Sequence, residues 1–121
     1  MHPGELRGCA VQKKSLAIIY RLEDGAYEAA QWDPERNDYS PDVPGLVCKG
    51  GTLPEGLRFR DVETALEGRV TEGRALTRFL PQGFATATWI HLEDDEGAAY
   101  TVVVHPLLGR AEVQEGRIDA P

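Results

Sequence analysis

The chain has 121 residues, the size of one domain, and can bury a single hydrophobic core. It carries 20 acidic and 13 basic residues, so its formal net charge is −7, and a surface of that sign repels nucleic-acid phosphates and anionic lipids. The basic residues are scattered among acids instead of forming a stripe, so we expect no nucleic-acid partner. No apolar run approaches the roughly 18 residues that a membrane-spanning helix needs.

The first predicted element is a β-hairpin. Residues 15–22 carry large or β-branched apolar side chains on both alternation sets, which predicts a strand covered on both faces. The loop 23–25 ends in a glycine, and residues 26–32 form the predicted return strand. Tyr27 and Trp32 are its predicted packing anchors.

Residues 33–56 differ in character from the hairpin. Four prolines and four glycines interrupt any long element there. We therefore expect an extended loop on the surface, with a short strand at residues 46–48.

The second half of the chain is rich in strand signals. Apolar and polar residues alternate over residues 57–60, whereas residues 61–73 favour a short strand or turn over a helix. Further strands are predicted at residues 75–80, 85–92, 98–105 and 111–114. Strands at this spacing, with turns between them, are typical of a mainly β fold, either an antiparallel sandwich or an open barrel.

The two cysteines, Cys9 and Cys48, permit one disulfide without requiring it. In an oxidising compartment the bridge would close a loop of about 40 residues and stabilise the fold by a few kcal/mol. The alternative is two buried thiols in a reducing compartment.

Two groups of residues contain side chains that can bind metal ions. The acidic cluster at residues 93–96 lacks the alternating ligands of a calcium loop, so it is predicted to be the solvated tip of a hairpin. His91 and His105 lie toward facing ends of the predicted strands and could together bind zinc, but a third ligand is missing. We therefore predict no metal site and place both histidines as half-exposed strand residues.

No catalytic or cofactor-binding residues are predicted. The sequence contains no nucleophile elbow and no phosphate-binding glycine loop, and neither cysteine has an identifiable base. Large aromatic residues could instead line a pocket for a small apolar ligand, although such residues more often form the core. The residues concerned are Trp32, Phe59, Phe79, Phe84 and Trp89.

A series of short motifs in the second half resembles the C-terminal half of the GspH/FimT-like pseudopilins. The motifs run from Phe79-Leu80-Pro81-Gln82-Gly83 through a threonine-rich strand containing Ile90-His91-Leu92 to an acidic turn. Tyr100-Thr101-Val102-Val103-Val104 and the turn Pro106-Leu107-Leu108-Gly109-Arg110 follow. The similarity extends over residues 53–116, and residues 15–29 are similar to the first hairpin of that family. Leu108 stands where the family usually has threonine.

The resemblance implies a structural protein, not an enzyme, and no cofactor. It implies an antiparallel two-sheet, sandwich-like domain over residues 15–121, with residues 1–14 comprising the chain start and the stump of a truncated N-terminal helix. Such a protein is a minor pseudopilin of a type II secretion system, or a subunit of a type IV pilus, with its β domain in the periplasm. Its expected partners are other pseudopilin subunits of the fibre or its tip, with a secreted protein as a further candidate.

The missing apolar helix would anchor the protein in the inner membrane and make the only membrane contact. Two alternatives remain open at this stage. The first is a small β-barrel or sandwich that binds a small apolar ligand, and the second is an enzyme with a cleft near His91 and His105.

Overall fold

The computed structural model describes residues 16–40, 50–80, 84–107 and 111–121. The described residues form strands and turns and contain no helix. The strands are β1 (Leu16–Arg21), β2 (Ala26–Asp33), β3 (Asp38–Ser40), β4 (Gly51–Thr52), β5 (Leu57–Thr64), β6 (Gly68–Val70), β7 (Arg74–Phe79), β8 (Thr88–Asp94), β9 (Ala99–Val104) and β10 (Ala111–Glu115). No helix in this part of the chain is long and apolar enough to cross a membrane.

The strands form two antiparallel sheets, as the mainly β prediction requires. The first sheet, sheet A, has the order β3-β2-β1-β7, and β4 pairs with the end of β2. The second, sheet B, has the order β10-β9-β8-β5-β6. The predicted strands and hairpins of the second half are present, although β8 begins three residues later than expected, at Thr88.

The strand β1 is covered on both faces, as its apolar pattern predicts. Leu16, Ile18 and Tyr20 point toward sheet B and join the main core between the sheets. Ala17 and Ile19 point the other way and belong to a second buried cluster with Ala30 and Tyr39. Burial on both sides explains why β1 lacks the polar alternation of a strand with one wet face.

The hairpin of β2 and β3 folds back over the outer face of sheet A. The register places Asp38 and Arg74 at opposite ends of the sheet, yet the Asp38 carboxylate lies 2.9 Å from the guanidinium of Arg74. Arg78 Nε likewise donates to the Tyr39 hydroxyl at 3.1 Å. Donation from the Tyr39 backbone N–H, together with Arg74, holds the pKa of Asp38 below its ordinary value.

A chain of hydroxyl groups joins the two sheets inside the core. Thr88 donates to the carbonyl oxygen of Thr86 at 2.9 Å, so it accepts from Thr77 at 2.7 Å. Thr77 has then used its proton and accepts from Tyr20 at 2.8 Å. Burial raises the pKa of Tyr20, which keeps its hydroxyl protonated as the first donor of the chain.

The segment between β7 and β8 carries the chain from one sheet to the other. Phe79 pairs with Ala85 at the end of sheet A, and Phe84 pairs with Leu107 just beyond β9 of sheet B. The amide of Ala65, at the end of β5, donates to the carbonyl oxygen of Ala87. The two sheets are therefore connected by backbone pairing as well as by their shared core.

The predictions for residues 26–56 were correct only in part. Gly25 has φ of +61°, as the hairpin loop requires, but Trp32 is 37% exposed and is not a buried anchor. It packs edge-on against Tyr39, with 5.3 Å between the ring centroids. Residues 33–56 contain the short strands β3 and β4, which the prolines and glycines did not reveal.

Several predictions concern residues outside the described ranges. The helix stump at residues 1–14 and the short strand at residues 46–48 both fall there, and so do Cys9 and Cys48. They remain predictions.

Candidate functional site

A buried polar cluster lies on the outer face of sheet B. His91 is 2% exposed, and its Nδ1 lies 2.5 Å from Oδ1 of Asp61. The other oxygen of Asp61 accepts from Nη1 of Arg117 at 2.9 Å, and Nε of Arg117 donates to Asp119 at 2.8 Å. His91 Nε2 lies 2.8 Å from the carbonyl oxygen of Ile118. The cluster thus connects β5 and β8 to residues that follow β10.

A β-bulge places Asp61 in this cluster. Phe59 pairs with Leu92 and Asp61 pairs with His91, so Arg60 is the extra residue of the bulge. Without it, Asp61 would share the face of Phe59 and point into the apolar core. The bulge reverses the alternation and brings the carboxylate to His91.

The residues after β10 lie across the outer face of sheet B. Thr101 donates to the carbonyl oxygen of Gly116 at 2.8 Å and accepts from the amide of Ile118 at 2.9 Å. With the contacts of Arg117 and Ile118, these bonds attach residues 116–119 along the sheet. We call residues 116–119 the C-terminal strap. The contacts of the strap could not be predicted from the sequence, because only the basic-acidic pair Arg117 and Asp119 indicates that these residues have partners.

The electrostatics of the cluster match a structural role. Burial alone would raise the pKa of Asp61, but the hydrogen bonds from Arg117 and His91 outweigh it and hold that pKa below the ordinary value. The hydrogen bond to Asp61 in turn raises the pKa of Arg117. Asp61 is therefore an anion held by two donors, not a proton carrier ready to act near neutral pH.

The same cluster contains three potential metal ligands. Oxygen or nitrogen atoms of Asp61, Glu63 and His91 lie within 4.8 Å of one another. The Arg117 guanidinium already neutralises this position, lying 2.9 Å from Asp61 and 3.8 Å from Glu63. Both ring nitrogens of His91 already lie within hydrogen-bond distance of oxygen atoms, those of Asp61 and of the Ile118 carbonyl group. The Arg117 guanidinium thus lies beside the carboxylates that a metal ion would use.

The two histidines do not form a pair. His91 is opposite Thr101 in the register, so His105 lies four residues further along β9 and beyond its end. His105 is half-exposed, as predicted, with Nε2 at 3.3 Å from Glu112. His91 is buried instead, because the C-terminal strap covers it. The alternatives that the sequence left open, a zinc site or an enzyme cleft shared by the two histidines, therefore find no such pair in the structure.

The acidic residues at 93–96 form the predicted hairpin tip between β8 and β9. Asp94 accepts from the amides of Glu96 and Ala98 at 2.9 Å each, which fixes the turn. Glu93 pairs with Arg58 and Arg60 on the outer face. The tip residues Asp95 and Glu96 are exposed, in agreement with a solvated loop.

A groove of about 620 Å³ lies between the sheets at one end of the domain. Its floor is apolar and includes Tyr20 and Phe59, whose rings meet edge-on at 6.2 Å. Its sides come from Leu53 and Leu57, near β4 and β5, and from Val113 of β10. Of the five aromatic residues that the sequence offered as a possible alternative pocket lining, Phe59 alone lines this groove. Phe79 is buried in the core. Phe84 is half-exposed in the segment between β7 and β8, where the chain passes from sheet A to sheet B.

An exposed apolar patch lies where the chain passes between the sheets. It consists of Leu80, Phe84 and Leu107, all substantially exposed. Phe84 and Leu107 are paired through the backbone, and the amide of Leu80 donates to the carbonyl oxygen of Phe84. We call these three residues the end patch. A contiguous exposed apolar patch of this kind is typical of a contact surface.

Comparisons with known proteins establish the fold. No protein-family profile and no curated protein sequence matches the chain. Among solved structures, the fold is similar to that of the minor pseudopilin EpsH from the Type 2 Secretion System of Vibrio cholerae. The TM-score is 0.61 with 12% sequence identity, over 93% of this chain and 87% of that chain. The two-sheet architecture is thus that of a known minor pseudopilin.

Proposed function

We propose that the chain is the periplasmic domain of a GspH/FimT-like minor pseudopilin, a structural subunit of a type II secretion pseudopilus or of a related type IV pilus. The observation that carries this proposal is the likeness of the fold to a minor pseudopilin over 93% of the chain. The sequence motifs that resemble the family lie on β7, β8 and β9 and on the connections between these strands.

The chemistry of the described residues supports a structural role. The one buried cluster of ionisable side chains described above attaches the C-terminal strap to sheet B, and its carboxylates face the Arg117 guanidinium. The end patch and the groove are surfaces suited to contacts with other proteins. On this proposal the partners are other pseudopilins of the fibre or its tip, and no step of chemistry is required.

The N-terminal part of the proposal concerns residues outside the described ranges. On this proposal the inner-membrane anchor is the apolar helix that the resemblance implies. A periplasmic location would also allow a disulfide between Cys9 and Cys48. Mass spectrometry of the protein extracted from the periplasm, with and without reductant, distinguishes a bridged form from two thiols.

The function is tested by deleting the gene in its own bacterium and measuring the secreted proteins in the culture medium. We expect secretion to fall, or pili to be lost, and to return when the gene is restored. A Phe84→Glu variant should fail to restore assembly, because it places a charge in the end patch. Leu66→Glu, at an exposed leucine outside that patch, is the matched control. Normal secretion and normal pili in the deletion strain would refute the proposal.

Binding of a small apolar ligand is a second candidate, favoured by the volume and apolar floor of the groove. A ligand that occupies it raises the melting temperature by mass action. A thermal-shift series with a neutral apolar dye such as Nile red tests this candidate. No concentration-dependent rise would exclude the dye as a ligand of the groove.

A further inference from the structure

The groove is open because, within the described ranges, no strand covers the inner face of β10. Val113 pairs with Val102 in the register, so its side chain points toward the interior of the sandwich. An inward-pointing valine is normally buried, yet Val113 is 71% exposed. The sandwich therefore lacks an apolar neighbour at this position.

The strand β10 also has an unpaired edge. It pairs with β9 on one side, and within the described ranges no strand pairs with the other side. An unpaired edge presents a row of N–H and C=O groups that can bond to an added extended segment. A segment bound there would place alternate side chains beside Val113, facing the groove.

The charge of the groove selects among possible occupants. Among the residues that the structure describes, its lining includes four acidic residues and no lysine, arginine or histidine. These acids are Glu55, Asp94, Asp95 and Glu96. Three of them belong to the turn between β8 and β9, which lies beside the C-terminal end of β10, where Glu115 pairs with Tyr100. An occupant with a basic group at this end would be attracted.

We propose that the groove binds an extended segment of another protein, which pairs with the free edge of β10. The segment places apolar side chains beside Val113, facing the groove, and carries lysine or arginine at its end near the β8–β9 turn. This inference rests on the groove alone and holds whether or not the chain is a pseudopilin.

Two other occupants fit less well. A second copy of β10 would bring Glu112 and Glu115 of one copy against the acidic rim of the other, and like charges oppose that pairing. A small apolar ligand would fill the floor but would use neither the edge of β10 nor the acids. An extended basic segment uses all three features.

The test is a titration of the isotope-labelled chain with a synthetic peptide of alternating valine and threonine that carries two lysines at each end. NMR chemical shifts locate the peptide, and calorimetry gives its affinity. We expect the largest shifts at the amides of Ala111–Glu115. Replacing the lysines by glutamates should weaken binding about tenfold or more, a change calorimetry resolves easily. Replacing the threonines by prolines should also weaken binding, since it removes donors for the edge.

Matched variants of the protein separate the groove from general charge effects. Val113→Arg should weaken binding of the lysine peptide by about tenfold, because it blocks the apolar contact and repels the basic end. Leu66→Arg makes the same charge change at an exposed leucine outside the groove and should change affinity by less than about twofold. Glu96→Lys and Glu72→Lys form a second such pair.

Three results would overturn the proposal. The first is no saturable binding of the lysine peptide, and the second is equal binding of the lysine and glutamate peptides. The third is saturation of the groove by Nile red at one site with no competition from the peptide, which would assign the groove to a small apolar ligand.

Discussion

The buried carboxylate of Asp61 gives the sharpest prediction of stability. Asp61→Asn keeps the shape of the side chain but removes the charge that faces Arg117 and His91. The amide oxygen can accept from one of these donors, while its NH2 group confronts the other. Hydrogen bonds to charged groups contribute roughly 1.5–3 kcal/mol, and breaking a fully buried ion pair costs about 3–5 kcal/mol. Because the Arg117 side chain is 36% exposed, we expect the lower part of this range, roughly 2–3 kcal/mol.

For a domain of this size, that loss lowers Tm by roughly 8–12 °C, which thermal denaturation followed by circular dichroism measures directly. Asp119→Asn is the matched control. Asp119 also bonds to Arg117, but its side chain is 57% exposed, so the loss should stay below about 1 kcal/mol. Equal losses for the two variants would refute the argument that burial makes the Asp61 contacts strong.

The pH dependence of the Asp61 contribution follows from the sign of its pKa shift. The folded-state pKa is lowered, so the charged form is favoured by folding, and the contribution is fully present above the unfolded value. It is lost as pH falls below about 4, the ordinary pKa of aspartate, toward the folded value. The difference in stability between wild type and Asp61→Asn should therefore be constant from neutral pH to about 5 and shrink below about 4. A difference that grows on acidification would contradict this assignment.

Three further substitutions and one control, Val113→Ala, test other parts of the fold by urea denaturation. Ile19→Ala empties a fully buried position outside the main core and should cost about 2–4 kcal/mol, whereas Val113→Ala, at an exposed valine, should cost less than about 0.5 kcal/mol. Thr77→Val removes the middle of the buried hydroxyl chain and should cost about 1–3 kcal/mol, since a buried donor loses its acceptor. Gly97→Ala should cost about 1 kcal/mol through its φ of +86° alone, because a Cβ there meets no atom within 4 Å. Equal losses of unfolding free energy for Ile19→Ala and Val113→Ala would contradict the first of these arguments. An unchanged unfolding free energy in Thr77→Val or Gly97→Ala would contradict the second or the third.

Sequence patterns predicted the strands well where alternation and turn residues agree. The apolar residues on both sides of β1 correctly indicated a strand buried on two faces, and Gly25 correctly marked a hairpin turn. The period of the apolar residues shows which side chains share a face of one strand. The positions of these strands could be predicted because they depend mainly on this local pattern.

The buried cluster could not be predicted in the same way. The bulge at Arg60 reverses the alternation of β5. If the alternation of Leu57 and Phe59 is continued without the bulge, Asp61 is wrongly placed in the core. The burial of His91 depends on the C-terminal strap, whose contacts join residues 15 to 56 positions apart along the chain. Neither a bulge nor a long-range polar contact leaves a periodic trace in the sequence.

The connection at residues 84–87 has a consequence for how the protein loses its structure. This segment pairs with the end of sheet A before it becomes β8 of sheet B, and the hydroxyl chain crosses the interior beside it. Melting of either sheet therefore removes partners from the other, so the domain should denature in one cooperative step. Trp32 belongs to β2 and Trp89 to β8, so two single-tryptophan variants provide a fluorescence probe of each sheet. Coincident transitions from the two probes would mean that the sandwich melts as one unit, whereas separated midpoints would reveal two independent layers.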